Sequence, residues 1–426
     1  MLKSGIMTSE LKRRCVYLRR PILFALLALT ALPGFAMRHL TVAQLEKMLA
    51  SDVAKHHSDD DMRRGFGSFD LTERLTDATR DRISTSLHLG PQTTLALQLK
   101  ADESALLDPP ATELPSTPPP DAATAKKILD AATAYVTGTL PRLPDFLATR
   151  TTYTFNDTAQ ILKVNEWPEH VGLHLIGQTS REITFRDDHE IAASTAKPVN
   201  ASTSPQPHSA ERGLQAYGEF GPLLGLVFLD SAKGSVAFHH WEQAPGGSIA
   251  VFHYQVPKAD SHYSVNYCCL FDGIRTSSRG GGRRGGGGVT GTMQSSSSSI
   301  FHKVPGYHGS LFIDPATGVV LRMTLEAEMG DGPVSRADTV IEYGAVVIGN
   351  RKFICPLRSM NVYMGPFEPG PQASELPGTA TPALEPKGTL YVNETSFSKY
   401  HRLGSEMRIL PAGDDAPVAQ NPSDTH

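Results

Sequence analysis

The chain has 426 residues, of which 40% are hydrophobic and 20% charged, and its 37 Gly and 31 Pro point to linkers between folded parts. This composition excludes a wholly disordered chain and a coiled coil, and a net charge of −4 excludes a generally basic nucleic-acid-binding protein. No run of 18 apolar residues follows residue 37, so no transmembrane segment is expected after signal cleavage.

Residues 1–36 read as a secretory signal peptide. Lys12, Arg13, Arg14, Arg19 and Arg20 precede the apolar run Pro21–Leu32, Pro33-Gly34 breaks the helix, and Gly34-Phe35-Ala36 offers small residues at the −3 and −1 positions. Cys15 lies ahead of the apolar run and is not placed for lipid attachment. Cleavage removes six basic side chains and Glu10, taking the net charge from −4 to −9. Such a chain has little attraction to anionic lipid headgroups, and its expected location is periplasmic or extracellular.

Residues 37–107 form a predicted helical region. Thr41 and Gln44 suit a capping box, with Val42, Leu45, Met48 and Leu49 at helical spacing behind it. Pro91 opens a second helix carrying Leu95, Leu99 and Leu106. Residues 108–120 are a Pro-rich, stiff linker. A third helix starts from the N-cap Asp121, groups Ala125, Ile128, Leu129, Ala132, Tyr135 and Val136 on one face, and stops before Pro141.

From Thr151 the period becomes two. Strands are expected at Thr151–Phe155, Gly172–Gly177 and Arg181–Arg186, then a short helix at Pro222–Asp230. Two hairpins stand out. The first is Ser235–Glu242 and Ser248–Val256 about Ala244–Gly247; the second is Ser310–Ile313 and Val319–Glu328 about Asp314–Gly318. In the latter, Val319, Leu321, Met323, Leu325 and Ala327 alternate with Arg322, Thr324, Glu326 and Glu328, one dry face and one wet. Further strands follow at Thr339–Ile348, Lys352–Leu357, Met360–Met364 and Thr389–Val392.

The fold class is therefore α+β: a curved antiparallel sheet, half-barrel-like, with helices on one side. Its domain covers residues 121–410, with flexible inserts at 191–212, 276–300 and 366–388 and a polar, disordered tail at 411–426. The inserts include a Gly/Arg stretch, Gly280–Gly288, and a Ser run, Ser295–Ser299, that cannot bury apolar area.

The chemistry-bearing patterns are few. GxxxxGK[ST], GxSxG and HExxH are all absent, and no cofactor is called for. With the first hairpin closed so that Gln243 faces Ser248, His240 lies opposite Val251 and His253 opposite Phe238. Both then share a face with Glu242, a His-His-Glu set suited to zinc or iron. One residue of register slip dissolves that set, and an ordinary polar face is the competing reading. An oxidising compartment lets Cys355 pair with one of the adjacent Cys268 and Cys269, with Cys269–Cys355 the candidate bridge and buried thiols the alternative. Trp241 shares a hairpin face with Phe252 and Tyr254; with Leu321 and Met323 these could line a lipophilic hollow or fill a core.

The segment from about 300 to 365 resembles the later strands of periplasmic lipoprotein carriers of the LolA type. The likeness lies in Gly309–Pro315 with its turn Ala316-Thr317-Gly318, the alternating strand Val319–Glu328, Thr339–Tyr343, and Arg351–Pro356 after Ile348-Gly349. The resemblance implies an unclosed antiparallel half-barrel, covered by helices, whose apolar concave face takes lipid chains. This chain is about twice the length expected of that family, its helical N-terminal part and inserts are extra, and no ligand-binding residue is carried over.

The leading functional expectation is an exported envelope protein that binds an apolar ligand, a lipid or a lipoprotein on the sheet, without catalysis and without a nucleic-acid partner. A metal-dependent enzyme built on His240, His253 and Glu242 is one alternative. An adhesion or assembly module is another.

Overall fold

The computed structural model describes residues 38–139, 142–157, 172–187, 189–191, 213–214, 218–244, 246–271, 298–366 and 388–403. The expected signal peptide 1–36 and tail 411–426 lie outside them, as does most of the three inserts. Ile191 ends a strand and Ser298–Ile300 begin another, so two of the inserts are shorter than expected. The chain divides into two compact units, one running to Thr112 and the other built essentially from Glu113 onward.

The first unit holds β1 (Arg38–Leu40), α1 (Val42–Ala54), α2 (Asp59–Gly65), β2 (Phe69–Leu71), α3 (Asp77–Leu87) and α4 (Pro91–Glu103). The capping box at Thr41 is present: Thr41 Oγ1 accepts the Gln44 N–H at 3.2 Å and Gln44 Oε1 accepts the Thr41 N–H at 2.9 Å. Val42, Leu45 and Leu49 then point into a core shared with Phe66, Phe69, Ile83 and Leu97. The face of α4 differs in part from expectation. Leu99 is buried as expected, with Leu97 and Ala101, but Leu95 is 47% exposed, Leu106 lies beyond the helix, and Thr93 at the first turn is drawn inward.

That inward pull comes from Asp59. Its carboxylate accepts the N–H groups of Gln92 (3.0 Å) and Thr93 (2.9 Å) and the Thr93 hydroxyl (2.6 Å), so the first turn of α4 is capped by a residue 34 positions away. Gly90, the residue before the helix, has no side chain because one would occupy the same space: a Cβ there would lie 2.4 Å from the Asp59 carboxyl carbon. Burial opposes ionisation of Asp59, but the hydrogen bonds from Thr93 and Gln92 outweigh it and hold the carboxyl below its usual range. The stability it lends is present above the unfolded pKa and is lost as pH falls through the depressed folded value.

The second unit begins with α5 (Ala122–Thr139), then β3 (Phe146–Asn156), β4 (His174–Arg186), β5 (His189–Ile191), β6 (Gly213–Leu214) and α6 (Pro222–Ser231). Strands β7 (Ser235–Ala244), β8 (Gly247–Val256), β9 (Val265–Phe271), β10 (Ser298–Lys303), β11 (Tyr307–Ile313) and β12 (Val320–Ala327) follow. The last are β13 (Arg336–Ile348), β14 (Arg351–Gly365) and β15 (Thr389–Arg402). Ten strands form one antiparallel sheet in the order β5-β4-β3-β15-β14-β13-β12-β11-β8-β7, not closed into a barrel, and β10-β9-β6 form a small second sheet. Two pairs of expected strands are single long ones, β4 and β14. In β14 the interruption is a bulge at Leu357, left between the pairs Glu342–Arg358 and Tyr343–Pro356.

Helices α5 and α6 cover one end of the large sheet. Ile128, Ala132 and Val136 of α5 and Leu223, Leu224 and Val227 of α6 pack with Phe252, Tyr254, Leu311, Met323 and Ile341. The β11–β12 turn is formed by Asp314, whose carboxylate accepts from the Ala316 N–H and the Thr317 hydroxyl. It closes through Gly318 at φ +74, where an added Cβ would lie 2.5 Å from the α5 backbone at Ala131. Only glycine satisfies both the positive φ and the close approach. Asp230, fully buried at the end of α6, accepts from Tyr307 Oη at 2.9 Å and the His262 N–H at 2.8 Å, fixing that helix to β11.

Asp59→Ala should destabilise the protein by about 1 kcal/mol, the usual worth of a cap. Gly90→Ala, which displaces the same carboxylate, should cost a similar amount. Urea unfolding of the two single variants and the double variant checks this: the double should lose little more than either single, whereas simple addition would show that Gly90 and Asp59 act independently.

Candidate functional site

The five residues expected to line a hollow are distributed as follows. Phe252 and Met323 have no accessible surface and Tyr254 has 2%. A space large enough for one water would give its lining atoms accessible area, so these three side chains border no hollow; they are core, packed against α5 and α6. Tyr254 donates its hydroxyl to the Thr324 carbonyl at 2.7 Å. Trp241 is half-buried at the rim of the same core and donates Nε1–H to the Pro118 carbonyl at 2.9 Å. Leu321 is off this face, because Phe312 pairs with Arg322 and Ile313 with Val320, leaving Leu321 as a bulge. Val320, fully buried, takes its place.

The metal set suffers the same kind of correction. His240 does pair with Val251, but His239 is bulged out, so Phe238 pairs with Phe252 and His253 with Ala237. His240 and His253 lie 6.5 Å apart between ring centroids at 88°, and it is His239 that the strand brings against His240. Glu242 does meet His240, with Nε2 2.9 Å from Oε1.

The bridge Cys269–Cys355 is not formed. Cys355 is a free, fully buried thiol on β14, packed with Phe146, Phe220 and Phe397, and burial pushes its pKa up to about 12. Cys268 is disulfide-bonded, and both it and Cys269 belong to β9 in the small sheet. The two cysteine positions are thus in different sheets, which the strand pattern alone does not reveal.

The middle of the large sheet, between the apolar clusters, is polar. Thr339 donates to Asn361 at 2.8 Å on neighbouring strands, Thr152 and Thr395 share a hydrogen bond at 2.8 Å, and Ser359 is 1% exposed. The side-chain oxygen Oδ1 of Asn393 and the hydroxyl of Tyr343 are buried without a partner among the described residues. Arg150 on β3 makes two hydrogen bonds to Glu190, at 2.8 and 3.0 Å, and one to Glu219 at 2.9 Å. Two carboxylates share one guanidinium, so full ionisation leaves a surplus negative charge in the interior. Glu219 is the more deeply buried, and loss of solvent pushes its pKa up despite Arg150, with Glu190 adding to the rise. These hydroxyls, amides and ionic groups are largely buried in the fold and mostly satisfy one another, so the stripe offers no exposed apolar surface to an acyl chain.

One open cleft combines the features of a binding site. It has a volume of about 300 Å³ and lies where α5 ends beside the start of β14. Leu143, Phe353 and Ile354 supply apolar walls, Tyr135 and Gly138 the helix side, and Arg142, Arg351 and Lys352 three cations. No carboxylate among the described residues pairs with any of the three. Arg351 lies over the Phe353 ring at 5.5 Å, and all three cations are exposed. Burial pushes the Tyr135 hydroxyl up to about 12, so it stays a neutral hydrogen-bond donor at physiological pH. None of these residues was singled out from the sequence for a site. The available signals were Arg351-Lys352 directly after the Gly349-Asn350 turn, and Arg142 between Pro141 and Pro144. No family model, curated protein or solved structure matches the chain.

The shared guanidinium gives a signed pH dependence. Because the Glu219 pKa is raised on folding, the stability tied to its protonated form is complete below its unfolded value and is lost as pH rises through the folded one. Glu219→Gln should therefore gain on the natural protein as pH increases above the ordinary glutamate value of 4.5, measured by urea unfolding across roughly pH 4–8. A gap that instead moves against Gln with rising pH would mean that Arg150 controls the pair. Arg150→Met should cost roughly 3–5 kcal/mol at pH 7 by stranding both carboxylates.

Proposed function

We propose that the chain is an exported, non-enzymatic binding protein for an amphiphilic anion: an apolar body carrying a carboxylate or phosphate, such as a fatty acid or a lipid. The ligand sits in the cleft at the end of α5, with its head among Arg142, Arg351 and Lys352 and its apolar part against Leu143, Phe353 and Ile354. The observation that carries the reading is the pairing of an apolar wall in one concavity with three cations that meet no carboxylate among the described residues, in a chain whose net charge is −4 and would be −9 after the expected cleavage. Isolated cations on an acidic surface attract an anion locally, and the apolar wall selects one with a greasy body. At about 300 Å³ the cleft is at the small end for ligand sites, so it suits a head and the first part of a chain, with the remainder left outside.

Two features of the sequence point the same way: the basic, apolar and small-residue succession in residues 1–36, which favours export, and the resemblance of residues 300–365 to periplasmic lipoprotein carriers. The departure from those carriers is the location of the ligand, at the margin of the sheet instead of its concave face.

Displacement of a fluorescent fatty acid by oleate tests the proposal. The natural protein should take up about one equivalent, and Arg351→Glu with Lys352→Glu should weaken binding by roughly tenfold, the worth of about 1.4 kcal/mol from two reversed charges. Met323→Leu, a volume-conserving change in the core, should leave affinity unchanged. Absence of uptake, or uptake indifferent to the charge reversals, would contradict the reading.

A further inference from the structure

The bulge in β7 has a chemical result. In a regular strand adjacent side chains leave on opposite faces. With His239 unmatched opposite β8, its ring and that of His240 are instead brought together, and Nδ1 of one lies 2.5 Å from Nδ1 of the other. β7 is the terminal strand of the ten-stranded sheet and His239 is exposed, so solvent reaches the pair.

The tautomer of His240 follows from its other nitrogen. Nε2 lies 2.9 Å from the Glu242 carboxylate, which can only accept, so Nε2 carries the proton and Nδ1 presents a lone pair to His239. A carboxylate behind the far nitrogen of an imidazole is the arrangement that orients histidine toward a metal and raises its basicity. His253 supports the second ring from behind, stacked on His239 with centroids 3.7 Å apart and 16° between planes.

The separation of the two Nδ1 atoms is shorter than the roughly 2.7–3.2 Å of an ordinary N–H hydrogen bond. Two nitrogens on one tetrahedral zinc ion, each at about 2.0–2.1 Å, stand roughly 3.3 Å apart. The exposed His239 ring therefore needs to move by only about one ångström for both nitrogens to reach one ion.

We propose that His239 and His240 form a surface site for one divalent transition ion of the class that prefers imidazole, zinc or copper(II), with water completing the coordination. Glu242 orients His240, and His253 backs His239. The site is independent of the anion cleft and uses different residues.

The test is titration of the full, EDTA-treated chain with zinc sulfate and, separately, with copper(II), followed by calorimetry. One equivalent should bind to the natural protein. His239→Ala, on an exposed ring, should lower affinity by tenfold or more, and Glu242→Gln by about tenfold. His302→Ala on β10 should change nothing, and the copper(II) form should show two coordinated imidazole nitrogens by electron paramagnetic resonance. Failure to bind either ion, or an affinity unaltered by His239→Ala, would overturn the site and leave a hydrogen-bonded imidazole pair.

Discussion

An open sheet of ten strands has one face too large for two helices to cover, and the architecture of the second unit follows from that mismatch. Nine inter-strand spacings of about 4.8 Å make a surface roughly 43 Å wide. The 18 residues of α5 span about 27 Å and the ten of α6 about 15 Å. The helices therefore secure only the end made by β8, β11, β12 and β13. An aromatic cluster around Phe146, Phe185, Phe220 and Phe397 fills a second region, and the small sheet brings Tyr267 against Tyr363 in a third. Between them run hydroxyls, amides and the Arg150 cluster.

The same mismatch accounts for the cleft. At Thr139 the helix runs out while β14 still has Arg351–Ile354 to present, and the chain turns into β3 through Arg142 and Leu143. Leu143, Phe353 and Ile354 line the concavity there, and among the described residues the cations beside them meet no carboxylate. The core itself has no such vacancy: Phe252, Met323, Leu311 and Val320 are all completely enclosed.

Much of the fold was legible where local chemistry and global packing agree. The capping box at Thr41, the α5 face with Ile128, Ala132 and Val136, helix α6, and both hairpins follow from spacing and turn residues. Helices α2 and α3 were not anticipated, since few of their side chains are buried (Met62 in one, Thr79 and Ile83 in the other); their caps, Ser58 and Thr76, were the available sign. The bulges at His239, Leu321 and Leu357 were beyond reach, because one inserted residue changes which side chains share a face without altering composition. The first two redirected parts of the expected site: His239 replaced His253 beside His240, and Val320 replaced Leu321 in the core. The cleft joins residues more than 200 positions apart, a proximity that only the order of strands supplies.

In the proposed binding mode, ligand occupies the margin of the sheet while its helix-covered interior stays closed. Hydrogen–deuterium exchange of the full chain with and without saturating oleate tests this most directly. Added protection should fall on Tyr135–Gly138 and Arg351–Ile354, with Ala250–Val256 and Val320–Leu325 unchanged. Protection concentrated in those two core strands, with none beside the end of α5, would contradict it.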